Sequence, residues 1–276
     1  MSESLAYIIL NYKTWEDTIA EINNIIDVFK AKPSQIIVVD NCSPNESAIK
    51  LEEYANATNI IFLKSNTNRG YAAGNNIGLR YAWNEGFKYA WILNNDVVIE
   101  DSQLKEKMIS VFEKDHSVAI VNPDIYLPGG HMCNRESFRP NLWDLTFGLI
   151  GYKKKGRAVK DLGGYGYVYR PQGCCMMVDL KKLHEVDYMD EKTFLYSEEP
   201  ILAERLIKKN YRCALCIGVS ILHNHSVTVA SSIEKRKVRA IMQDSFRYYL
   251  KEYRGYRGIS LWIALLFNRI KWILLG

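Results

Sequence analysis

Apolar residues in the first 121 positions come in short continuous runs separated by amphipathic stretches. LAYIIL (5–10), QIIVVD (35–40), NIIFL (59–63), YAWIL (89–93) and residues 117–121 read as strands covered on both faces. Trp15, Ile19, Ile22, Ile26 and Phe29 recur at steps of four and three, which predicts a helix with Thr14 as its N-cap. Further helices are expected over 71–85, entered through a Gly/Asn-rich loop, and near 101–114. Strands alternating with helices imply βαβ units, hence an α/β fold with a Rossmann-like, mostly parallel central sheet flanked by helices.

The second half is less regular. Residues 128–165 are glycine-rich, carry KKKGR at 153–157, and are expected to form long loops. GCCMMVDLKKL (173–183) reads as a strand feeding a helix. SEEPILAERLIKKNY (197–211) reads as a helix capped by Ser197, and CALCIGVSILHNH (213–225) as a strand. A basic segment, 231–254, leads to an apolar C-terminus.

In parallel sheets ligands bind beyond the carboxyl ends of the strands. NYKT, DNCSPN and NNDV follow the first, second and fourth strands, so all three belong on one rim. Asp40 there can accept from a ribose hydroxyl or a base N–H, or serve as a turn residue. Asp96 ends a core strand and offers oxygen to a divalent cation, with Asn94 and Asn95 adding uncharged contacts. The loop SNTNRGYAAGNN lies just before a helix, where backbone N–H groups suit an anion, and Arg69 can reach a phosphate or stay a solvated loop residue. Neither a P-loop nor a GxGxxG after the first strand is present. Glu198 and Glu199 open a helix, as favourable dipole partners or as a general base raised in pKa by burial and mutual repulsion. His223 and His225 would face one side of a strand, as a metal ligand or as core histidines.

Composition narrows the class. The 276 residues permit one large domain or two small ones, with 48% hydrophobic and 24% charged residues. A net charge of +5 suits an anionic ligand or a membrane surface and gives no argument for nucleic acid. No signal-peptide pattern opens the sequence. Six cysteines are too few for a disulfide scaffold, and the CxxC of Cys213 and Cys216 lacks a second pair at zinc-ribbon spacing. A reduced cytoplasmic setting is expected.

IILNYKTWEDT, VVDNCSPNES, NRGYAAGNNIGLRYA, WILNNDVVIE, GCCMMV, DEKTFLYSEEPILAERLIKKNYR and LHNHSVT, in this order, resemble a family 2 inverting glycosyltransferase of the GT-A fold. The likeness spans roughly residues 4–230 and points to the rhamnosyltransferase-like, polysaccharide-assembly group. It implies a catalytic domain over 1–230, with a nucleotide-binding half to about 122 and an acceptor-binding half from 123, followed by a helical extension over 231–276. It also implies a UDP- or dTDP-sugar donor, a saccharide acceptor, and manganese or magnesium as cofactor. By this resemblance Asp40 holds the base or ribose beside Asn11 and Tyr12. Asn68, Gly70 and Asn76 shape the adjoining loop. Asp96 ends a DxD-like motif and reaches the metal, and one histidine of HNH completes the metal site or contacts the diphosphate. Glu199 matches the acidic base, with Glu198 its neighbour. The chain departs from the family pattern at Asn94, where Asp is common, and at EEPI, where EDxD is common. The first departure implies a metal held chiefly together with the nucleotide.

GISLWIALLFNRIKWILLG (258–276) is apolar but interrupted by Asn268, Arg269 and Lys271. After a basic stretch it reads as a membrane-surface anchor, fitting a lipid-linked acceptor at the inner face of the cell membrane, or as a helix packed on the domain or in a homodimer interface. Two other functions compete: a nucleotidyltransferase, whose glycine-rich basic signature the N-terminus lacks, and a non-catalytic saccharide- or nucleotide-binding protein of the same fold.

Overall fold

The computed structural model describes residues 4–147, 158–224 and 235–275. KKKGR at 153–157 and His225 lie outside these residues.

Strands β1 (Leu5–Asn11), β2 (Ile36–Asp40), β3 (Ile61–Lys64) and β4 (Tyr89–Leu93) form a parallel block in the order β3-β2-β1-β4. Helices α1 (Trp15–Phe29), α2 (Ser47–Thr58) and α3 (Tyr71–Asn84) connect them. β1, β2 and β4 are buried on both faces, which is why they read as unbroken apolar runs, whereas β3 at the edge is only half-buried. Tyr7, Ile9, Ile36 and Val38 pack with Ile22 and Ile25 of α1, while Ala6, Ile8, Ile37 and Val39 pack with Leu79 and Ala82 of α3.

Beyond β4 the sheet becomes mixed. β8 (Cys175–Asp179) lies antiparallel between β4 and β6 (Val118–Tyr126), and β9 (Arg212–His223) runs parallel to β6. β5 (Val97–Val98) and β7 (Tyr165–Val168) pair antiparallel with β9. α4 (Leu104–Lys114) starts later than expected, because Asp101 forms a turn with the backbone N–H of Gln103 at 2.8 Å. A short α5 (Leu142–Leu145) follows β6, and α6 (Leu180–Glu185) follows β8 directly. α7 (Glu198–Ile207) precedes β9.

The chain ends in a helical hairpin. α8 (Lys235–Tyr248) continues through a π-helical turn (Tyr249–Tyr253) to α9 (Gly258–Leu275). A small core of Ile201, Tyr249, Leu250 and Ala264 joins this hairpin to α7. Glu204 of α7, itself buried, fastens it: Arg139 donates twice to its carboxylate at 2.7 and 2.6 Å, Tyr169 at 2.6 Å, and Arg254 lies 3.5 Å away.

Both expected caps need correction. Thr14 and Ser197 occupy the N-cap positions of α1 and α7, but neither side chain makes a capping hydrogen bond. The Thr14 hydroxyl instead accepts from Asn95 at 2.8 Å, and Ser197 sits in left-handed backbone. Cys213 and Cys216 are buried thiols on β9.

Candidate active site

The carboxyl ends of β1, β2 and β4 form one rim, tied by a chain of buried polar side chains. Asp40 accepts from Asn11 Nδ2 at 2.8 Å, from the Ser43 hydroxyl at 2.6 Å and from the Ser43 backbone N–H at 2.9 Å. Asn11 Oδ1 accepts from Thr18 at 2.9 Å, and Asn95 Nδ2 donates to Thr18 at 2.9 Å and to Thr14 at 2.8 Å. The three loops are therefore held as a unit before any ligand arrives. Asp40 and Asn11 are fully buried, whereas Tyr12 is half-buried at the rim.

Asp96 follows at the turn between β4 and β5. The β5–β9 register places Val97 opposite His223, so the residue before Val97 comes beside that histidine. Asp96 Oδ1 lies 3.2 Å from His223 Nε2, and Asp96 O accepts from the Asn224 backbone N–H at 2.9 Å. One carboxylate oxygen and one imidazole nitrogen, close together and largely buried, suit a manganese- or magnesium-type cation that takes its remaining ligands from phosphate and water. Among the described residues no three His, Cys, Asp or Glu side chains cluster as a metal cage. A cation held by these two groups would take most of its shell from its ligand and water.

Glu198 and Glu199 reach the same region from α7. β8 pairs with β4 so that Leu93 opposes Cys175, and the Asn94 backbone N–H donates to Cys174 O at 2.9 Å. One residue earlier, the Gly173 N–H donates to Glu199 Oε1 at 3.3 Å. Residues 173–174 thus bridge the Asp96 loop to Glu199. A Cβ at position 173 would lie 3.0 Å from the Tyr71 hydroxyl and 3.3 Å from Glu199 Oε1, so a larger residue would have to push these side chains aside by a few tenths of an ångström. Asn122 clamps the segment, donating to Gln172 O at 2.9 Å and Cys175 O at 2.5 Å.

The two carboxyls sit in different environments. Glu198 is buried, and burial, then the neighbouring Glu199 charge, push its pKa up to about 8. Glu199 is only partly buried and carries the contact to Gly173. Arg170 stands close to Glu199 and donates to Glu136 at 2.8 Å. Burial lowers its pKa, but Glu199 and Glu136 together lift it above the ordinary value.

The loop before α3 is built by close contact. Asn68 Oδ1 accepts from the Gly70 N–H at 3.0 Å and from Asn41 Nδ2 at 3.2 Å. Gly70 has φ +96°, and a Cβ there would fall 1.9 Å from Phe194 O. Arg69 pairs with Glu191 at 3.0 Å. Asn76 is buried against the 189–191 turn: it donates to Met189 O and Glu191 Oε1 at 2.8 and 2.9 Å and accepts from the Met189 N–H at 3.1 Å. It fixes the 189–191 turn that supports Arg69.

The sequence reading missed Glu21, Asn122, Arg170 and Gly173. Glu21 on α1 is buried with no hydrogen-bond partner for Oε1, and burial, then the Asp96 charge, raise its pKa to about 9. Its acidic residue at an apolar helix position was the available signal. The others depend on contacts across 26 to 53 residues, which local pattern does not encode.

A Haloferax volcanii protein, the low-salt glycan biosynthesis hexosyltransferase Agl10, is 28% identical over 232 residues, covering 82% of this chain and 69% of its own. Among solved structures, GalNAc-T7 with UDP, GalNAc and Mn2+ has a TM-score of 0.65 at 10% identity over 90% of this chain. The chain spans 47% of that protein's length. The mannosyltransferase PcManGT from Pyrobaculum calidifontis, in complex with GDP-Man and Mn2+, has a TM-score of 0.61 at 12% identity, covering 99% of this chain and 70% of its own. These neighbours share the GT-A fold. The model of glycosyl transferase family 2 matches residues 7–178, more than half of the sequence, from within β1 through β4 to the bridging segment at 173–174, and the chain belongs to that family.

Proposed function

We propose that the protein catalyses inverting transfer of a hexosyl or deoxyhexosyl group from a UDP- or dTDP-sugar to a saccharide hydroxyl, in the assembly of a cell-surface polysaccharide. The observation that carries this reading is the 173–174 bridge. Its Cys174 carbonyl binds the Asn94 N–H beside Asp96, and its Gly173 N–H binds Glu199. A group suited to a charged leaving end and a group suited to an attacking hydroxyl therefore share one short stretch of backbone.

Asp96 and His223 would hold the divalent cation, which when bound neutralises charge on the diphosphate leaving group. Tyr12, on the rim braced by Asn11 and Asp40, lies where the base and ribose are received. Glu199 accepts the proton as the acceptor oxygen bonds to the anomeric carbon. The bond from that carbon to the diphosphate oxygen breaks on the opposite face, and the nucleoside diphosphate departs with the electron pair. Its Gly173 contact aims Glu199 Oε1, while the buried, largely protonated Glu198 is poorly placed to accept a proton.

The test is nucleotide release from UDP-, dTDP- and GDP-sugars with and without manganese, together with donor-induced thermal stabilisation. Asp96→Ala should lose both the manganese-dependent stabilisation and transfer. Glu199→Gln should retain stabilisation and lose transfer by about 100-fold or more. Full transfer by either variant refutes its assigned role, and donor binding without release by the wild-type chain supports the non-catalytic alternative.

A further inference from the structure

No helix of the described residues is long and apolar enough to cross a membrane, yet α9 is apolar on two opposite sides. Its inner face, with Ala264 buried and Leu261 and Leu265 partly so, packs in the small core with Ile201 and Leu250. Its outer face carries Ile259, Trp262, Leu266 and Ile270, spaced at three, four and four residues and therefore aligned in one stripe. Ile259 is 77% and Trp262 64% exposed. Beside the helix, Trp143 and Phe147 are each about half exposed, and Phe147 meets Phe267 of α9 edge-on at 5.1 Å. An uncovered apolar patch with two tryptophans is not what a free helix surface needs.

Charge identifies what covers it. Gln243 of α8 exchanges hydrogen bonds with Leu265 O and Asn268 of α9, while Tyr249 and Leu250, beyond the end of α8, share a core with Leu261 and Ala264 nearer the start of α9, so the two helices run antiparallel. This brings the first turns of α8, with exposed Arg236, Lys237 and Arg239, to the end of α9 that bears exposed Arg269 and Lys271. Basic side chains at one end of an apolar, Trp-bearing helix face match the headgroup region of an anionic bilayer, where tryptophan and cationic residues both partition. A second copy packed parallel on this stripe would bring the same cations against one another, and an antiparallel copy would leave them without an anionic partner.

We infer that the outer face of α9, extended by Trp143 and Phe147 and rimmed by the α8 cations, lies in the interface of an anionic membrane. The hairpin then lies on the bilayer without spanning it. Because Ile201 of α7 and Ala264 of α9 share one small core, helix α7 lies one helix layer, about 10 Å, behind that surface. On the proposed sugar-transfer reading, the acceptor hydroxyl would therefore be presented from the membrane side, as on a lipid-linked saccharide. The surface assignment itself does not depend on catalysis.

Co-sedimentation of the full chain with phosphatidylcholine vesicles, with and without phosphatidylglycerol, tests it. Binding should need the anionic lipid and weaken with salt. Trp262→Ser with Leu266→Ser should lower the partition coefficient by about tenfold or more, at unchanged melting temperature and sedimentation coefficient. Arg236→Gln with Arg239→Gln and Arg269→Gln should lower it by a similar factor on anionic vesicles. The inference is overturned if the wild-type chain ignores vesicles, if the Ser variant binds as the wild type does, or if that variant instead converts a dimer to monomer. Membrane binding by a protein inactive on all donors would refute the sugar-transfer reading and leave the surface assignment standing.

Discussion

Replacing Glu198 with Gln isolates the energetic consequence of placing two carboxyls at the start of α7. The Glu198 side chain is buried, one oxygen has no partner, and its carboxyl also receives backbone N–H groups of Glu198 and Tyr196. Its pKa rises from an ordinary 4.5 to about 8, first by burial and then by Glu199. A raised folded pKa means the native state binds more protons than the unfolded chain, so this contribution is fully present below about pH 4.5 and is lost as pH rises toward about 8. At about pH 7 the unfolded chain has ionised this group and the native state largely has not, which costs the wild type about 3 kcal/mol relative to acid pH. Gln keeps the shape and an acceptor oxygen but cannot ionise. Urea unfolding of both proteins from about pH 5 to about pH 8 should therefore show Glu198→Gln gaining on the wild type by about 3 kcal/mol. In a Glu199→Gln background the gain should shrink, since the second cause is removed. A stability difference that stays flat across this range would refute the assignment of a neutral, buried Glu198.

Two further substitutions probe the frame. Gly70→Ala drives a Cβ into the Phe194 carbonyl and should cost about 3 kcal/mol in urea unfolding. Gly86→Ala, also at positive φ but with open space around it, should cost only about 1 kcal/mol, and equal costs would show that the close approach does not matter. Glu204→Gln leaves Arg254 buried without its carboxylate and should cost about 3 kcal/mol by thermal or urea unfolding, and a loss below about 1 kcal/mol would remove this residue as the fastening of the C-terminal hairpin.

How far the fold was legible follows from which contacts are local. β1, β2 and β4 were readable because burial on both faces leaves a continuous apolar signature, and α1 because its buried stripe repeats at helical spacing. Helix α2 escaped notice because it buries mainly Ala48, Leu51 and Ala55, too sparse a stripe to stand out. The turn to antiparallel pairing at β8 was not readable, because a strand bordered by β4 and β6 looks the same in either direction. Helix caps failed for a related reason: Ser and Thr favour N-cap positions on average, but Thr14 had a tertiary partner, Asn95, lying 81 residues away.

The site was legible to the extent that its chemistry sits at strand ends. The polar interruption at Asn94, Asn95 and Asp96 contains three different functions that the sequence presents as one motif. Asn94 uses its backbone to hold Cys174, and so sets the distance between the Asp96 loop and Glu199. Asn95 uses its side chain to tie this loop to Thr14 and Thr18, and through Asn11 to Asp40. Only Asp96 presents a charged group beside a second donor, His223. An Asp at position 95 could accept from the two threonine hydroxyls but could not donate to them and to the Thr14 carbonyl, as the Asn95 amide does. The amide at 95 is therefore a structural requirement of this rim, and Asp96, held beside His223, is the one carboxylate of the three positions.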